Sequence, residues 1–271
     1  MDFRGRSQLF IVAAILVFVA LAILFLRVPP DYMYENISFA FDPSASRAFA
    51  YGEQHFSSAS PDSYDVGRAE YFFNIAVAKD PTLLYVHHEL ARISFLHGEF
   101  PDAMKQINLQ ITMHGDTTPN SYYIRGLIEG FMGDYADSAK DYEHFLQFDP
   151  HDWAAINDYA WVLLKAGRAK DAEVATAAGI AYFPNNPWLL NSNATALYEL
   201  KEYPEALVSA QKALATVQNL TEAEWLHAYP GNDPKIGAQG LAAFKVAVAD
   251  NMHTIDSAIA SSTVQSKVLH E

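Results

Sequence analysis

The chain has 271 residues, with 18 basic against 32 acidic side chains and a formal charge of −14. A surface of that sign repels phosphate, which excludes nucleic acid as a partner, and a hydrophobic fraction of 51% excludes a disordered chain. With no cysteine, disulfide frameworks, thiolate metal sites and cysteine nucleophiles are excluded together.

The first predicted element is a span. Residues Ser7 to Leu26 carry no formal charge and lie between Arg6 and Arg27, and every residue from Leu9 to Leu26 is apolar. At about 1.5 Å rise per residue such a helix is about 30 Å long, the thickness of a bilayer core. Ala20-Leu21-Ala22 has the form of a signal-peptidase site, but Ile23 to Leu26 would leave the cut inside the apolar run, so an uncleaved anchor is expected over residues 1–28. Arg4 and Arg6 precede the span, while the residues after Val28 hold 15 basic and 31 acidic groups. This bias places the N-terminus inside and the rest of the chain on the extracytoplasmic side. Pro29 and Pro30 read as a helix stop, and 29–44 as a linker.

Beyond the linker the sequence repeats. Gly98-Glu99-Phe100-Pro101-Asp102-Ala103 aligns with segments beginning at Gly133, Gly167 and Lys201, in steps of 35, 34 and 34 residues. A fifth copy ends at Ala69. Pro81, Pro150 and Pro184 each follow Ala69, Ser138 and Ala172 by 12 residues, where a helix has to end before the next unit. Each unit is therefore expected to be a helix, a turn and a second helix. The first unit has a longer internal stretch, Gly52 to Tyr64, and the second has Gly115 where the closing proline is expected.

On these residues the chain resembles the tetratricopeptide repeat family over roughly residues 45–218. The resemblance implies an all-α, right-handed superhelical solenoid of five repeats. Its small first-helix residue is matched by Ala91, Gly126, Ala160 and Ala194. The second-helix alanine is matched by Ala69, Ala103, Ala172 and Ala206, with Ser138 substituted. Small side chains at these points let paired helices approach closely. Phe73, Ile107 and Tyr142 fill the next inward position, whereas Thr176 and Ala210 are smaller and predict looser packing of the last two units. Residues 219–260 read as a partial sixth repeat followed by a capping helix, with Leu241, Phe244, Val248, Met252, Ile255 and Ile259 at helical spacing. A disordered tail is expected over 261–271.

The family resemblance also implies a concave groove lined by the first helices. By register the second unit supplies Tyr85, His88, Arg92 and Phe95, and the third Asn120, Tyr123, Leu127 and Phe131. The fourth supplies Asn157, Trp161 and Leu164, and the fifth Trp188, Asn191, Thr195 and Tyr198. Asparagine amides both donate and accept, which suits an extended peptide. Arg92 is the one basic residue among these positions, so a clamp for a partner's C-terminal carboxylate is disfavoured and a neutral or basic protein partner is favoured.

No catalytic constellation, cofactor or metal site is expected. His87-His88-Glu89 lacks a second histidine one helical turn on, where Arg92 stands instead. Gly126-x-x-x-Gly130-x-x-Gly133 lacks the lysine of a phosphate loop, and its spacing suits helix packing. The sequons at Asn36, Asn193 and Asn219 carry little weight. The expected function is a membrane-anchored scaffold or adaptor that binds a protein or extended peptide. The alternative is a structural homo-oligomer or filament built by end-to-end packing of the solenoids.

Overall fold

The computed structural model describes residues 30–57, 61–229 and 231–268. Among these there are thirteen α-helices and no strand. The expected membrane span lies outside the described residues, and no helix among the described residues is long and apolar enough to cross a membrane.

Helix α1 (Pro30–Phe41) precedes five helical pairs. These are α2 (Ala45–His55) with α3 (Val66–Lys79), α4 (Val86–Leu96) with α5 (Phe100–His114), and α6 (Asn120–Met132) with α7 (Tyr135–Phe145). The series continues with α8 (Trp153–Lys165) and α9 (Ala169–Tyr182), then α10 (Pro187–Glu199) and α11 (Tyr203–Val217). A short α12 (Glu222–Ala228) and a long α13 (Gly237–Val268) close the chain. Every helix of a pair packs on its partner, and the first helices α4, α6, α8 and α10 also touch in succession, so they form the inner layer of the stack.

The repeated sequence produces a repeated turn. Gly98, Gly133 and Gly167 have φ of 74°, 91° and 73°, and Lys201 adopts 64° at the same place. In each case the following amide reaches back five residues: Glu99 to the Ser94 carbonyl, Asp134 to Glu129, Arg168 to Leu163 and Glu202 to Leu197, at 2.8–2.9 Å. This left-handed cap satisfies carbonyls that the helix end would otherwise leave bare.

The small residues lie where the pairs cross. Ala69, Ala91, Ala103, Ala160, Ala172, Ala194 and Ala206 are wholly buried. A Cβ built at Gly126 would sit 3.2 Å from both the Ser138 carbonyl and the Tyr142 ring, so even an alanine there would press on that crossing. Ser138 takes the alanine place by donating its hydroxyl to the Gly126 carbonyl at 2.6 Å. The last units are better filled than the sequence predicts. Thr176 accepts the Asn193 amide at 3.0 Å, and Ala210 packs in one cluster with Ile255 of α13.

Two expectations are corrected. From residue 30 the linker is helix α1, because proline at a first helical position costs nothing and starts helices as readily as it ends them. Its Glu35 is buried between His55 (2.8 Å) and Arg68 (3.2 Å), and Phe39 meets Phe72 edge-on, so α1 covers the outer end of the first unit. At the other end, α13 carries helical backbone to Val268, into the tail expected to be disordered.

Candidate functional site

The inner layer encloses a cavity of about 1150 Å³. Nine of the groove positions line it: Tyr85, His88, Arg92 and Phe95 from α4 and its N-cap, Asn120, Tyr123, Leu127 and Phe131 from α6, and Trp161 from α8. The walls are aromatic. Phe131 lies edge-on to Phe95 (5.1 Å between centroids) and tilts against Trp161 (5.5 Å), while Tyr123 meets Phe145 at 5.6 Å. Tyr85 holds the left-handed region at φ 68°, which is unfavourable for an aromatic residue, and its ring stands edge-on to His88.

Six groove positions do not line the cavity. Asn157 accepts from the Ser192 hydroxyl at 2.8 Å and donates to Asp158. Leu164 packs against the core around Tyr142. The fifth unit's inner face is covered by α13. Trp188 stacks on Phe244 (4.9 Å, 12°), the Asn251 amide donates to Asn191 Oδ1 at 2.9 Å and to Thr195 Oγ1 at 3.1 Å, and Tyr198 packs against the buried cluster that contains Ile255 of α13. A capping helix was expected to shield the last repeat. In the structure it also fills that repeat's share of the groove.

Helix α12 and the residues that follow it add a further wall. Trp225 is buried against α13 so closely that a Cβ on Gly240 would fall 2.1 Å from its ring. Trp188 Nε1 donates to the Tyr229 hydroxyl at 2.9 Å, and Tyr64 of the first unit donates its hydroxyl to the Gly231 carbonyl at 2.8 Å. The described residues on either side of position 230, 225–229 and 231–232, form a strap that touches both the last unit and the first, with His227, Tyr229 and Asn232 on the cavity. The groove becomes a chamber with an open mouth, at which Leu96 and Phe131 stay exposed.

Further cavity residues lie one position beyond the expected register. Glu89, Ile124 and Asp158 follow His88, Tyr123 and Asn157, and all three line the cavity. The spacing signal was the same 35- and 34-residue step, and adding one residue to each register position would have found them. Phe49, Glu53 and Phe56 come from the first unit, and Asp152 and Trp153 from the start of α8.

Burial governs the site's charges. Arg92 pairs with Glu89 at 2.6 Å and lies over the Phe56 ring at 4.6 Å. Burial pushes Glu89 up to about 7 against the pull of Arg92, and holds His88 down to about 3, so His88 is neutral. Asp158 is raised to about 6 by burial, although Tyr123 donates to it at 2.6 Å and Asn157 at 3.2 Å. His87 is occupied by Gln106 (2.6 Å) and the Pro81 carbonyl (3.1 Å), as a structural histidine would be. Such a chamber can hold a ligand by ring contact and by carboxylate.

A family model described as the tetratricopeptide repeat matches residues 79–230, more than half of the chain. The chain belongs to the tetratricopeptide repeat family. The same repeat fold appears in solved structures. PilW, a type IV pilus biogenesis factor, superposes with a TM-score of 0.58 at 14% identity, covering 78% of this chain and 97% of its own. YrrB, a tetratricopeptide repeat protein with an unusual peptide-binding site, gives 0.55 at 13% identity, covering 72% and 97%. MamA gives 0.54 at 17%, covering 65% and 96%. No curated protein matches the chain. At these identities the tetratricopeptide likeness concerns the fold.

Proposed function

We propose that this protein is a membrane-anchored tetratricopeptide scaffold that holds a protein or extended peptide segment on its concave side, with the repeats extracytoplasmic. The observation that carries the reading is the 1150 Å³ chamber walled by aromatic side chains from the first four units. Pockets that bind ligands are apolar and concave with a few converging polar groups, and this one has that composition. Family membership and the peptide-binding site named for YrrB support a polypeptide ligand.

Anchoring rests on the uncharged run from Ser7 to Leu26. It is supported by α1, which begins four residues later and leaves Tyr34, Ile37 and Phe41 exposed on successive turns, Tyr34 being of a type enriched at a membrane–water boundary. The scaffold's work is non-covalent: it raises a partner's local concentration at the membrane. End-to-end assembly is less favoured, because α1 covers the first unit and α13 the last, and either would have to leave.

The test is capture of partners from intact cells by the tagged full-length chain and by Trp161→Ala, with protease added outside beforehand in a parallel sample. The reading expects at least a tenfold loss of partner with Trp161→Ala, and digestion of the repeats by external protease. Unchanged capture contradicts the chamber, and full protection until lysis contradicts the topology.

A further inference from the structure

We propose that the chamber receives a lysine or arginine side chain of the partner polypeptide, with its cationic head at Asp158 and its stem along the rings of Trp161 and Phe131. The inference deepens the scaffold reading and rests on it. Its ground is an imbalance of charge inside an apolar enclosure. Arg92 is the one lysine or arginine among the described lining residues, and Glu89 already neutralises it at 2.6 Å. Asp152 and Asp158 have no such partner. Asp152 caps α8 by accepting from the Ala155 amide at 2.9 Å, and the donors to Asp158 are the neutral Tyr123 and Asn157. No lysine or arginine among the described residues forms an ion pair with either carboxylate.

A partly buried carboxylate without a counter-charge is disfavoured, and that cost is reduced when a cation arrives. The ring walls favour the same ligand. Indole and phenyl faces attract a cation that has shed its water, and they cover the methylene stem of a long basic side chain. The mouth is open to such a chain, since Leu96 and Phe131 of the lining remain exposed. The charge of −14 on the whole molecule steers a basic segment toward it. An acidic or carboxylate-terminated ligand meets the opposite conditions at each of these points.

The test pans a displayed library of random twelve-residue peptides on the full-length chain, with Trp161→Ala and Asp158→Asn panned in parallel. The inference expects enriched peptides to share a lysine or arginine at one position. Replacing that residue by glutamine in the synthetic peptide should weaken binding about 30-fold, Asp158→Asn should lose a similar factor, and the two changes together should lose little more than either alone. The peptide substitution leaves the protein untouched, so the result does not depend on how the variant folds. Enriched peptides that need Trp161 but lack a basic residue, or bind Asp158→Asn as well as the parent, overturn this inference and leave the scaffold reading standing. If no enriched peptide responds to Trp161→Ala, both fall.

Discussion

Lys201 occupies the turn position that glycine holds in three other units, with φ of 64°. An L-residue there costs about 1–2 kcal/mol relative to its right-handed conformation, and glycine avoids most of that. Lys201→Gly is therefore expected to raise the unfolding free energy by about 0.5–1 kcal/mol, read as a higher denaturation midpoint. Glu129 of α6 presents the opposite case. It is buried, one of its carboxylate oxygens has no hydrogen-bond partner, and burial with the nearby Asp141 raises it to about 7. Its folded-state value thus exceeds its unfolded one, so between about 4.5 and 7 the unfolded chain gives up the proton while the folded chain keeps it, and stability falls as pH rises. Glu129→Gln should add about 1–2 kcal/mol at pH 8 and nothing at pH 4, by denaturation at each pH. A gain that is constant with pH would contradict the assignment.

At the scale of elements, the sequence made the paired helices legible because their crossings demand small residues at fixed spacing, as at Ala103, Ala172 and Ala206. The turn glycines carried the same information. What register could not supply was the covering of each face. Asn191 and Thr195 point inward as the repeat requires, and only the fold shows that Asn251 of α13 already occupies them. Helix α1 was hidden by the double proline, whose effect depends on which side of it the helix lies. The strap was hidden because its partners are remote: Tyr64 and Gly231 lie 167 residues apart. That contact is one neutral hydrogen bond worth about 1 kcal/mol. Tyr64→Phe should therefore speed amide exchange at Tyr229 and Asn232 about fivefold while leaving α8 unchanged. Exchange at the parent rate would show that the strap does not depend on its link to the first unit.

The molecule as a whole is a stack with α1 on its first unit and α13 on its last, and a strap across part of its inner wall. Its outer helices leave apolar side chains such as Val174, Tyr182 and Val208 exposed at separate places, whereas the chamber gathers aromatic rings with Asp152 and Asp158 at one place. This asymmetry is the ground for proposing the inner side as the binding face. The most direct measurement places a photo-crosslinking residue at Phe131, at the chamber, or at Val174 on the outer helix α9, each 56% exposed, in the full-length chain in intact cells. Equal exposure removes simple accessibility as an explanation. The account predicts a discrete polypeptide adduct from position 131 that Trp161→Ala abolishes, and none from 174. Equal labelling from the two positions, or an adduct from 174 alone, would contradict it.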